Sequence, residues 1–201
     1  MKIKELKIAN ITLLFSSPLN HQQISQTEVV KLFATGNPQM DLLNFVEAPG
    51  LKLLILPNQK KEIAFEATRL AINDKSEAEI RKSALVDDFT KVFNSSAVNK
   101  SAVIAYGFNF DVLAEMETGN MNDLIGPKVS KLPNIISADI NVVFEKDSIR
   151  HSLKITPAGM EKIFLVHFNA HIAVNTVPDN DELNKQMVFQ FNKFENIIKD
   201  I

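Results

Sequence analysis

Chemistry would have to come from few residues in this chain, and the most suggestive are the histidines of "HFNAH", His167 and His171. On a helix their spacing would put both imidazoles on one face, as in zinc peptidases, but those require a glutamate directly after the first histidine, and Phe168 stands there. The neighbourhood reads as a strand instead, because Phe164, Val166, Phe168, Ala170, Ile172 and Val174 alternate with other residues. On a strand, positions i and i+4 lie roughly 13 Å apart, too far to share one ion. No metal site is expected.

What remains is a polar row, His167, Asn169 and His171, on one face of that strand. A second strand, "VIAYGFNFDVLA" from Val103, has a comparable face on which Val103, Ala105 and Gly107 give way to Asn109 and Asp111. If both faces lie on the same side of one sheet, these five residues could line a ligand pocket between the 101–114 and 162–175 strands. A sheet face running out into solvent would show the same residues.

The aromatic side of "YGFNFDV" raises a different possibility. Tyr106, Phe108 and Phe110 alternate as in a base-stacking platform, but Tyr106 replaces the basic residue of the RNA-recognition pattern and Asp111 adds a carboxylate. Ile104, Tyr106, Phe108, Phe110 and Val112 form one apolar row, the pattern of a strand buried against helices. Nucleic-acid binding is therefore not favoured. The formal charge of −2, from 22 basic and 24 acidic residues, points the same way, since phosphate binding needs a clustered positive footprint.

Other catalytic signatures are missing. The six glycines form neither a dinucleotide fingerprint nor a P-loop, and no G-x-S-x-G elbow occurs. Asp87 and Asp88 read as the polar side of a helix, His21 as a loop residue and His151 as a core or edge histidine. No cofactor is expected. The chain has no cysteine, which excludes disulfides and thiol chemistry and fits a reducing, cytoplasmic setting. No stretch approaches the roughly 20 apolar residues of a membrane span, and "MKIKELKIAN" interrupts its apolar residues too often for a signal peptide.

The elements that must position these residues can be read from periodicity and caps. A first strand spans 4–16, but Leu6 and Ile8 are out of phase with Ile11, Leu13 and Phe15, which implies a bulge near Ala9-Asn10. A similar slip in "KEIAFEATRLAIND" suggests a second long, bent strand. Capping boxes at Ser25/Glu28 and Ser76/Glu79 open a short and a longer helix. "LKLLILPNQKKEIAFEATRLAI" contains two strands joined at 57–60. Residues 38–50 are ambiguous, and 115–134 read as a long loop with one helical turn around 122–125.

A three-stranded meander follows, with Ile136 to Phe144 as its first strand and turns at "EKDS" and Pro157-Ala158-Gly159. Asp179 and Glu182 then open a final helix striped by Leu183, Met187, Phe191, Phe194, Ile198 and Ile201, with Val188 and Phe189 off the stripe. The expectation is an α+β fold: one largely antiparallel, curled sheet of about six to seven strands against two to four helices, ending in a C-terminal helix. It would form a single domain over 1–201, with a weak two-half organisation, 1–98 and 99–201. Function is expected to lie in binding or assembly through protein–protein contacts, with homodimerisation through the sheet or the last helix. A small-ligand receptor or enzyme using Asn109, Asp111, His167, Asn169 and His171 is the alternative.

Overall fold

The computed structural model describes residues 1–118, 124–126, 131, 137–160 and 162–201. Nine antiparallel strands form one sheet: β1 (Lys2–Phe15), β2 (Asn44–Ala48), β3 (Leu51–Leu56), β4 (Lys61–Glu66), β5 (Arg69–Asp74), β6 (Val103–Glu115), β7 (Ile140–Lys146), β8 (Ile149–Pro157) and β9 (Ile163–Ala173). Their spatial order is β2-β3-β4-β5-β1-β6-β9-β8-β7. The α-helices fully within the described residues are α1 (Gln26–Phe33), α2 (Leu85–Phe93) and α3 (Asn180–Asp200). The class is α+β, with more strands than the six or seven expected.

The extra strands come from two places. The slip between Phe65 and Leu70 is not a bulge: β4 and β5 are separate strands of a tight hairpin in which those two residues face each other. Strand β2 occupies part of the ambiguous 38–50 segment.

The first-strand slip is real but sits earlier than expected. Register with β6 shifts between Ile3 and Glu5 and between Leu6 and Ile8, so the bulged residues are Lys4 and Lys7 rather than Ala9-Asn10. From Ala9 to Leu14 β1 pairs regularly with β5 on one side and β6 on the other; the β5 pairing ends there, and the β6 register shifts once more between Leu14 and Phe15, where Ile104 is the extra residue.

One face of the sheet carries the core. Ile11 and Leu13 of β1, Phe108 and Phe110 of β6, and Val166 and Phe168 of β9 are fully buried in a single cluster with Phe89 of α2 and Phe194 of α3. The aromatic side of "YGFNFDV" thus faces the helices, with Tyr106, Phe108 and Phe110 all at or below 2% exposure. A base cannot stack on these rings. Ile104, expected to continue that row, is instead exposed at the strand's beginning.

Local capping explains two helices and fails for the third. Ser25 Oγ accepts the Glu28 amide at 3.2 Å, and Asp179 accepts the Glu182 amide at 2.9 Å. The Ser76/Glu79 box does not form. Ser76 instead donates its amide to Asp74 at 2.8 Å, Glu77 takes a left-handed φ of 61°, and helix α2 starts at Leu85. In the last helix Leu183, Met187, Phe191, Phe194 and Ile198 are buried as expected, whereas Ile201 lies beyond the helix end and is exposed.

The meander forms, although its first strand begins at Ile140; Ile136 lies outside the described residues, as do Asn122 and Asp123 of the helical turn expected around 122–125. The "EKDS" hairpin turns on Asp147 and Ser148, both with positive φ, 55° and 58°.

Candidate functional site

The five residues singled out by sequence lie on β6 and β9, which are direct neighbours. Register places Asp111 opposite His167, Asn109 opposite Asn169 and Gly107 opposite His171. All of them therefore share the sheet face away from the core, where no helix packs among the described residues. Successive side chains alternate, so burying Phe108 and Phe110 on one side fixes Asn109 and Asp111 on the other.

The lower pair is an ion-pair geometry. His167 Nδ1 lies 2.6 Å from Asp111 Oδ1. A carboxylate only accepts, so Nδ1 carries the proton and Nε2 is left as the outward nitrogen. Both side chains are part-exposed, His167 more than Asp111, and among the described residues no group of three metal-ligating side chains surrounds them. The arrangement orients an imidazole without enclosing a substrate around it.

The upper residues belong to a larger construction that sequence reading missed. Asn169 donates Nδ2 to Asn109 Oδ1, and Asn109 donates to Asn10 Oδ1 at 2.5 Å. Asn10 then donates to Asn73 Oδ1 at 2.6 Å, and Asn73 to Glu62 Oε1 at 3.2 Å. Five consecutive strands, β9-β6-β1-β5-β4, are thereby joined by side chains in a single cross-sheet row.

The direction of this ladder is fixed by its end. An amide can point either way, but the Glu62 carboxylate cannot donate to Asn73, so Asn73 must turn its nitrogen toward Glu62 and its oxygen toward Asn10. Each amide up to Asn169 then follows. Lys75 holds the terminal carboxylate at 2.6 Å. The sequence signal was present: asparagine is disfavoured inside strands, yet four strands each carry one amid apolar core-face residues.

Beside the ladder, the face dips. A depression of about 220 Å³ is lined by Thr12, Arg69, Gly107, Asn109, Asn169 and His171 among others. Gly107 on its wall lies close against β9, because a Cβ there would meet the Ala170 carbonyl oxygen at 2.8 Å. A second depression of about 410 Å³ lies across His171, with Arg150, Ser152 and Asn141 on its far wall. Sequence reasoning thus named three residues of the first depression, Asn109, Asn169 and His171, while Asp111 and His167 stand apart as their own pair.

The remaining histidine of interest is structural. His151 is completely buried, stacked on Phe144 at 5.0 Å and tilted against Phe168 at 5.5 Å. Its Nε2 meets Gln190 Oε1 at 3.3 Å, and Nδ1 has no partner among the described residues. Burial, and next the charge of Lys193, push its pKa below the ordinary 6.5, against smaller opposing effects of Gln190 and Asp147.

A pH dependence follows. Between the two pKa values the unfolded chain binds a proton that the folded chain refuses, so this contribution to stability is complete above about pH 6.5 and is lost as pH falls toward the folded value. His151→Phe is expected to flatten that part of the profile. Urea midpoints of both proteins across mildly acidic pH check it; parallel profiles would show that His151 does not contribute.

No protein-family model matches the chain, and no curated protein is significantly similar to it.

Proposed function

We propose that this chain is a non-enzymatic binding protein that works through protein–protein contacts, self-association included, in a cytoplasmic setting. The observation that carries this reading is the β7 edge of the sheet. Val142 and Val143 point to opposite faces of this strand, whose outer edge has no strand partner among the described residues, and are 45% and 53% exposed. Charges occur in β7 only at its end, Glu145 and Lys146, and it lacks proline. Edge strands normally carry such features to block pairing with another chain. Further support comes from α3, whose outer side presents Phe189, 59% exposed, next to Val188.

Val143→Lys is the test, because a charge at that position opposes edge pairing while leaving the core face untouched. Light scattering at micromolar concentration is expected to give a mass above that of one chain for the natural protein and the monomer mass for the variant. A monomer in both cases would refute self-association.

The strand order supports a two-half organisation as part of this proposal. Outward from β1 come β5, β4, β3 and β2, and outward from β6 come β9, β8 and β7, each series ending in sequence with a helix. Asn10 and Asn109 face each other at the junction, and Asn73 and Asn169 occupy the matching places on β5 and β9.

A second reading, a small-ligand receptor, is favoured by the depression over Gly107 bordered by Asn109, Asn169 and His171. Concavity and convergent polar groups are the ordinary marks of such sites.

A further inference from the structure

Two features of the sequence remain without a role, the bulges of β1 and the failed capping box at Ser76, and both border the same cavity. Strand β5 leaves β1 after Asp74, so among the described residues the first half of β1 has no strand neighbour on that side. Residues 75–79 turn away from the sheet and lead into a single 3-10 turn, Ile80–Lys82, instead of an α-helix. The notch between them, closed by α3, is a cavity of about 530 Å³. That size is ordinary for a small-molecule site.

Its walls divide into an apolar floor and a charged rim. Ile3, Leu6, Ile80 and Phe191 supply apolar surface. Most rim charges are already engaged: Lys4 with Glu115 at 3.0 Å, Lys7 with Glu5 at 2.6 Å and with Glu77 at 3.3 Å, and Lys82 with Glu79 at 2.9 Å. These bonds hold Lys7 above, and Glu77 below, their usual ranges. Two rim residues, Arg81 and Glu195, have no ion-pair partner among the described residues.

One guanidinium and one carboxylate, neither in an ion pair among the described residues, above an apolar floor define a complementary ligand. We propose that this cavity binds a small zwitterion with an apolar body, the chemistry of a free hydrophobic amino acid. Arg81 would take the carboxylate through its planar donor pair, Glu195 the ammonium, and Ile80 and Phe191 the side chain. The β1 bulges serve this site by breaking the strand's regular alternation where it borders the cavity. The cavity lies apart from the β7 edge, so it stands or falls independently of self-association.

Three probes separate the contributions: L-phenylalanine, phenethylamine with only the cation, and 3-phenylpropionate with only the anion. In amide-resolved NMR titrations, phenylalanine is expected to shift Leu6, Ile80 and Phe191, with each singly charged probe binding at least about tenfold more weakly. Arg81→Gln should erase the preference for phenylalanine over phenethylamine, and Glu195→Gln the preference over 3-phenylpropionate. Both are single changes at rim positions outside the core, and circular dichroism verifies that the variants fold. Equal affinity for all three probes, or no shift at these amides, would overturn the proposal. Shifts at Asn169 and His171 instead would also overturn it and would favour the depression over Gly107.

Discussion

Asp88→Ala is expected to cost about 3–5 kcal/mol of folding stability, the largest loss from any single charged residue in the chain. Asp88 is 1% exposed on α2 and holds two lysines, Lys61 Nζ at 2.6 Å and Lys91 Nζ at 3.1 Å. Lys61 comes from β4 and is itself mostly buried, so removing the carboxylate leaves an ammonium that water cannot fully solvate. Both lysines also lie over the Phe33 ring of α1, at 5.8 and 5.7 Å. The carboxylate therefore ties α2 to the sheet and to α1.

Chemical denaturation measures the effect, and a double variant sharpens it. Lys61→Met together with Asp88→Leu should recover most of the loss, because neither charge is then stranded. An Asp88→Ala cost below about 1 kcal/mol, the level of an exposed pair such as Lys31–Glu28, would mean that water reaches the site.

Phe110→Ala should be comparably damaging, by about 3–5 kcal/mol. Phe110 is fully buried and meets three rings: Phe168 at 6.4 Å and Phe194 at 6.3 Å, both stacked, and Phe191 edge-on at 5.1 Å. Truncation removes those contacts and opens a cavity where β6, β9 and α3 converge. Rigid backbone on the sheet side limits collapse, so the void persists. Urea unfolding is the measurement. A near-neutral result would mean that the ring does not pack in the core, and would reopen the stacking-platform reading of "YGFNFDV".

These two residues differ in how far sequence alone could reach them. Phe110 was legible because alternation with Phe108 and Val112 is a local property of one strand. Asp88 was read as part of a solvated helix face, and its burial arises from Lys61, 27 positions away and on another element. The same contrast appears at the helix starts. Ser25 and Asp179 cap as their spacing predicts, whereas Ser76 is captured by Asp74, and the helix starts only at Leu85.

The candidate site divides along the same line. That Asn109 and Asp111 point away from Phe108 and Phe110 follows from the two-residue period, and so does the grouping of His167, Asn169 and His171. Nothing local states that Asn109 opposes Asn169, or that Asn10 and Asn73 continue the row, since the pairs are separated by 60, 99 and 63 positions. Strand order and register make those neighbours, and they are set by burying every apolar face against one shared core. The sequence by itself determined which residues share a face and which segments extend or coil, because these depend on the nearest few residues. Only the tertiary structure decided which strands meet, where β1 pairs with β6 but not with β5, and how the ladder is polarised, because those outcomes depend on groups the chain brings together from far apart.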